Sequence, residues 1–185
     1  YYPNEGQLWW NVNTCLAYGA KGIQYFPLIQ PYYFAYAVAE PFDFERNGIF
    51  GAMGNKNRWF YYIQGVNKQI AAVDEVLMNS VNKGMIATGK EAIEANAYSD
   101  YMLDGDSWRE LTGVEGDTLI GCFNYQGRSA FYVVNYDYEY AQKITLNFAD
   151  NYDMSVVQNA KETYINTKRL ELTMAPGEGV LMVIE

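Results

Sequence analysis

Apolar residues recur at helical spacing twice before the middle of the chain. Trp59, Ile63, Val66, Ile70, Val73 and Leu77 keep an i, i+3/i+4 rhythm, while Gln64, Lys68, Gln69 and Glu75 fall mostly off that stripe. This predicts an amphipathic helix over about 59–78, ending near Asn79-Ser80, with Asn55 or Asn57 as its cap. Leu8, Val12, Cys15 and Leu16 repeat the pattern with Trp9 beside them, predicting a helix over about 5–19. Asn4 is placed to cap it, and Gln7 three residues on completes a capping box. Between the helices, Gly19 and Gly22 bracket a turn, and Ile23 to Phe26 form a short apolar run before Pro27. That run predicts a strand over 22–27 covered on both faces. A long irregular stretch follows, roughly 28–56, crowded with Tyr32, Tyr33, Phe34, Tyr36, Phe42 and Phe44. Loops this long are usually functional, and so many aromatics argue for an ordered one.

From about residue 83 the rhythm shifts to short β-branched and aromatic runs separated by turn residues. Strands are predicted at 85–88, 108–114, 118–124, 130–135, 144–148, 154–157, 162–166, 170–174 and 180–184. Alternation is plain in Ile144, Leu146 and Phe148, and again in Leu170, Leu172 and Met174, while Gln126-Gly127 and Pro176-Gly177 supply turn chemistry. The expected class is α+β: helix–strand–helix over 1–82, then an antiparallel β-sandwich over 83–185 packed rigidly against the helices.

A helix running into a buried strand is half of a βαβ unit, and such units build parallel sheets and barrels. The run LAYGAKGIQYF, the aromatic loop after it, and RNGIFGAMGNKNRWFYYIQGVNKQI resemble the last strand and helix of retaining (β/α)8 glycoside hydrolases of the β-galactosidase and cellulase-like families. The ending LELTMAPGEGVLMVIE is similar to the final hairpin of the β-sandwich that follows many such barrels. The resemblance implies the seventh helix, eighth strand and eighth helix of an incomplete TIM barrel, with the rest of the barrel as the chain's partner. A complete barrel needs about 200–250 residues. The resemblance also favours a secreted or cell-envelope protein, and it implies that both catalytic carboxylates lie outside this chain.

Charge narrows the field further. Thirteen basic against 22 acidic residues, with no basic cluster, disfavours nucleic acid and anionic membrane surfaces. The absence of histidine rules out a Ser-His-Asp triad, a Cys-His pair or a histidine zinc site built from this chain alone. No cofactor or metal is expected. Cys15 and Cys122 read as two buried free thiols rather than a disulfide. Asp104/Asp106 and Asp150/Asp153 lack the spacing of a calcium loop and read as turn residues. The glycine-rich run 47–57 lacks the spacing of a phosphate-binding loop and reads as a tight turn into the second helix.

Sugars present apolar C–H faces fringed with hydroxyls, so aromatic faces beside amides suit them. Tyr25 and Phe26, with Gln30, Tyr32 and Tyr33 beyond, are the candidate substrate-binding residues, as one wall of a carbohydrate subsite. Their plainer reading is a hydrophobic plug. Glu5 reads as a first-turn residue favoured by the helix dipole, and Glu40, Asp43 and Glu45 as solvated loop charges. The alternative function is a non-catalytic carbohydrate-binding or cell-surface module, with Trp108, Tyr125, Tyr136, Tyr138 and Tyr140 as an exposed aromatic row. Tyr136, Tyr138 and Tyr140 share a face only if a strand continues that far. A purely structural sandwich from another barrel enzyme is the third reading.

Overall fold

The computed structural model describes residues 3–29, 48–51, 53–103, 108 and 110–185. Helix α1 spans Glu5–Ala17. The predicted capping box is present: Asn4 Oδ1 accepts the Gln7 N–H, and Gln7 Oε1 accepts the Asn4 N–H, both at 2.8 Å. Helix α2, Arg58–Met78, is capped by Asn57, whose Oδ1 accepts the Trp59 N–H at 3.0 Å. Ile63, Val66, Val73 and Leu77 of the predicted stripe are buried. Gln69 is buried as well, although it falls off that stripe, because it bridges to the sheet: it donates to Gly179 O and accepts from the Ala160 N–H.

Among the described residues, seven strands form one antiparallel sheet: β1 (Ser80–Thr88), β2 (Leu111–Glu115), β3 (Thr118–Tyr125), β4 (Arg128–Asn135), β5 (Gln142–Gln158), β6 (Lys161–Met174) and β7 (Gly179–Ile184). The order is β1-β3-β4-β7-β5-β2, with β6 on the other edge of β5. Where nine short strands are predicted, four of them fuse pairwise into β5 and β6. Ala149-Asp150-Asn151 reads as a turn, but the hairpin absorbs it as a register shift between Asn147 and Tyr152. Asp150 and Asp153 therefore lie within a strand rather than in a turn.

That irregularity bends the sheet over itself. Phe131 pairs with Met182, and Met182 pairs with Val156. Phe148 precedes Val156 by eight positions, ~26 Å along an extended strand. Yet the Phe131 and Phe148 rings are 6.5 Å apart. The two halves of β5 thus face each other across one core of Ile120, Phe131, Val133, Ile144, Leu146 and Met182. The opposite face of β3, β4 and β7, with Phe123, Tyr132, Val134 and Leu181, packs against α1 and α2.

Between Thr88 and Leu111 lies a short helix, α3 (Lys90–Asn96), which the sequence pattern does not announce. Its N-cap is Gly89, and Asp117 from the β2–β3 turn supplies the missing acceptor, taking the Ala92 N–H at 3.0 Å. Gln126 (φ +54°) and Gly127 (φ +88°) make the β3–β4 hairpin turn, as their dipeptide predicts. Neither cysteine is in a disulfide; Cys122 is buried, but Cys15 is exposed, against expectation. Cys15 projects from the side of α1 away from the face that buries Val12 and Leu16.

Helix α1 docks through close backbone contact. A Cβ on Gly121 would stand 2.2 Å from Ala17 O, and one on Gly177 would stand 2.3 Å from Gly6 O. In the space so created, buried Asn13 donates to Gly177 O at 2.8 Å and accepts the Tyr132 hydroxyl at 2.8 Å.

The expected strand over 22–27 does not form. Among the described residues, no backbone–backbone hydrogen bond involves residues 21–26. Burial nevertheless alternates: Ile23 and Tyr25 are partly covered, while Gly22, Gln24 and Phe26 are exposed. The covered residues pack against the cluster that α1 and α2 share with the sheet. A strand is defined by its neighbours' hydrogen bonds, and among the described residues none reaches 21–26 to make it one.

Candidate functional site

Helices α1 and α2 lie side by side and run the same way. Near their starts, Gln7 and Trp59 line one cavity, and Trp9 abuts Gly65. Near their ends, Leu16 and Leu77 line another, which also holds Ile23, Asn67 and Ile70. Segment 21–29 runs back antiparallel to α2. Lys21 Nζ donates to Leu77 O and Ser80 O at the α2 carboxyl end, supplying the cation its last turn lacks. Tyr25 then donates its hydroxyl to Asn67 Oδ1 at 2.9 Å. Ile29 bridges to Phe50, whose ring lies 5.4 Å from Phe60 in the first turn of α2.

This geometry gathers aromatic side chains at the amino-terminal end of the two helices. A cavity of about 420 Å³ there is lined by Pro3, Gln7, Leu8, Trp10, Asn11, Trp59 and Tyr138. The Trp10 ring is gripped edge-on by Tyr136 at 5.4 Å and Tyr138 at 5.7 Å. The Trp10 and Trp59 indole N–H groups are buried without a hydrogen-bond partner among the described residues, although a buried indole N–H usually finds one. Apolar ring faces beside amides, with indole donors to hand, can hold a polyhydroxylated ring by stacking and hydrogen bonding. No carboxylate is among the described lining residues.

Of the candidate wall residues, Tyr25 is half-buried against α2, and burial raises its phenol pKa above the ordinary value. Phe26 is 91% exposed. Gln30, Tyr32 and Tyr33 lie outside the described residues, as do Glu40, Asp43 and Glu45 and the pair Asp104/Asp106.

The aromatic row of the alternative reading is dispersed. Trp108 packs edge-on against Phe131 at 5.8 Å, and Tyr125 is buried. Strand β4 stops at Asn135, so Tyr136, Tyr138 and Tyr140 share no strand face. Asn135 turns the chain: its amide donates to Tyr140 O and Ala175 O, and its Oδ1 accepts the Asp137 N–H. Tyr140 alone of the three is exposed, while Tyr136 and Tyr138 clasp Trp10.

From sequence, Gln7 and Trp59 have structural roles only, and Trp10 and Asn11 have none. The available signal was that Gln7, Trp10 and Asn11 share a helical face separate from the Val12–Leu16 stripe.

Glu5 is exposed in the first turn of α1 and lines a second cavity together with Glu178. Glu178 is only 5% exposed; its Oε2 accepts the Ala175 N–H at 2.7 Å. Burial pushes its carboxyl above the usual carboxylate range, against the opposing pull of the Ala175 N–H and the Gln158 amide. Burial, with the Glu178 charge second, likewise raises the Tyr132 phenol far above its usual value. Burial drives the Cys122 thiol up to about 12, which makes it unreactive.

No protein-family model matches the chain, and no curated protein matches it either.

Proposed function

We propose that this chain is the carboxyl-terminal part of a retaining (β/α)8-barrel glycoside hydrolase, with the antiparallel sheet as its accessory sandwich domain. The supporting observation is the arrangement of residues 5–29 and 58–78: parallel helices α1 and α2, with an alternately buried segment returning antiparallel along them and, among the described residues, no backbone partners over 21–26. That is the arrangement of an α–β–α unit whose strand has lost its sheet neighbours. The outward face of that segment carries exposed Phe26 and Leu28, which the rest of a barrel would cover. In such a barrel the helix starts and the strand's carboxyl end share the catalytic face. The aromatic cavity of Trp10, Trp59 and Tyr138 gathers at that same end.

In this reading one carboxylate elsewhere protonates the leaving oxygen, and another attacks the anomeric carbon. This chain supplies one wall of the sugar cleft, through Tyr25, Phe26, Gln30, Tyr32 and Tyr33 and the adjoining tryptophans. The test is to express the chain together with its upstream coding sequence and to assay nitrophenyl glycosides. Glycoside cleavage, with Trp59→Ala raising KM more than it lowers kcat, supports the reading. A longer protein that lacks a (β/α)8 barrel, or that cleaves no glycoside, overturns it.

A second reading is a non-catalytic carbohydrate-binding module. It is favoured by the Trp10–Trp59–Tyr138 cavity, which sets aromatic faces beside the Gln7 and Asn11 amides with no carboxylate among its described lining residues. Oligosaccharide binding by the chain alone, abolished in Trp59→Ala, would select it over the wall of a shared cleft.

A further inference from the structure

We propose that the cavity on the other side of α1, walled by Trp9, Pro176, Glu5, Asn159 and Glu178, binds one pyranose ring of a neutral saccharide. This site is separate from the Trp10–Trp59 cavity and does not depend on the barrel reading, because its described walls come from α1, the turn at Asn159 and the Ala175–Glu178 turn.

Three observations carry it. The cavity measures about 380 Å³, within the range of small-molecule sites and roomy enough for a single sugar ring. Its apolar lining comes from Trp9, Pro176 and Ala175, which suits the C–H face of a pyranose. Its polar lining holds a buried carboxylate with spare capacity: Glu178 Oε2 is satisfied by the Ala175 N–H, but Oε1 has no hydrogen bond among the described residues. The nearby Gln158 amide donates to Thr173 O at 2.9 Å and also pulls on the Glu178 carboxyl, but it makes no hydrogen bond to Oε1. A buried carboxylate oxygen left without a donor is costly unless something supplies one, and sugar hydroxyls are donors.

The charge environment selects a neutral ligand over a cation. Glu5 and Gly6 lie in the first turn of α1, where the positive end of the helix dipole offsets the carboxylates. Burial also favours the protonated form of Glu178, which can donate as well as accept. Donors and acceptors around an apolar floor match hydroxyls, which are both.

Saturation-transfer NMR on the intact chain tests this, with methyl β-glucoside, methyl β-galactoside and methyl α-mannoside as separate probes and n-butylammonium as the cation arm. Transfer to the ring protons of at least one glycoside is expected. Trp9→Ala should weaken that binding about tenfold, the scale of a lost aromatic face. Asn159 sits at φ +52° in an exposed turn, so Asn159→Gly keeps the backbone and should weaken binding about threefold through one lost hydrogen bond. Measurement in the Trp59→Ala background removes any signal from the other cavity, and the Trp9→Ala and Asn159→Gly effects should persist there. If Trp9→Ala fails to fold, Asn159→Gly decides. Transfer to no glycoside, transfer insensitive to Asn159→Gly, or displacement of the sugar by n-butylammonium each overturns the proposal.

Discussion

Strand β4 and segment 21–29 are both apolar runs, yet they stand at opposite extremes of support. Every residue from Ala130 to Asn135 is buried, with α1 and α2 on one face and the folded-over half of β5 on the other. Its backbone is paired on both edges, by β3 and β7. Segment 21–29 has α1 and α2 on one side only and lacks backbone partners over residues 21–26 among the described residues. The difference teaches that apolar content calls for burial, but the neighbours decide whether a run becomes a strand.

Four perturbations would break or sharpen this contrast. The largest effect is expected from Phe131→Ala, which empties a fully buried site touching Trp108 and Phe148. It should cost about 3–5 kcal/mol, read as a fall in the urea midpoint with little change in slope. Asn13→Ala comes next. It leaves the Tyr132 hydroxyl and Gly177 O buried without their partner, at about 2–3 kcal/mol. If that loss falls under about 0.5 kcal/mol, the α1–sheet junction is wetter than the structure indicates.

A smaller, pH-dependent effect attaches to Glu178. Its folded-state pKa is raised by burial, so the folded chain binds its proton more tightly than the unfolded chain. Its contribution is fully present below the ordinary carboxylate pKa and is lost as pH rises through the raised value. Denaturation curves from acid to neutral pH should show stability falling through this window, and Glu178→Gln should flatten that slope. A slope identical in both proteins would remove the burial argument.

The smallest effect belongs to Phe26→Ala, at under about 0.5 kcal/mol, because the ring is 91% exposed. Hydrogen exchange should agree, with amides 22–26 fast and those of β4 slowest. The comparison becomes sharpest in a longer protein that carries barrel strands. There Phe26→Ala should become costly and amides 22–26 slow, and if neither changes, that segment is not a barrel strand.

Local signals carried much of the architecture. The stripe from Trp59 to Leu77, the Asn4–Gln7 capping box, the Gln126-Gly127 turn and the antiparallel texture after residue 83 were all legible, because each depends on residues a few positions apart. Helix α3 was not, because its cap comes from Asp117, a side chain on a distant turn. Nor was the fusion of four predicted strands into β5 and β6, since a bulge and a turn share the same polar composition. The pairing of Trp10 with Tyr138, the reach of Asn13 to Gly177 and the burial of Glu178 were likewise decided by tertiary structure. Sequence alone determined which segments must hide an apolar face, and it placed the tight turn at Gln126-Gly127. Which faces meet, and which polar groups are trapped between them, depends on contacts between residues far apart in the chain, and no short-range pattern encodes those.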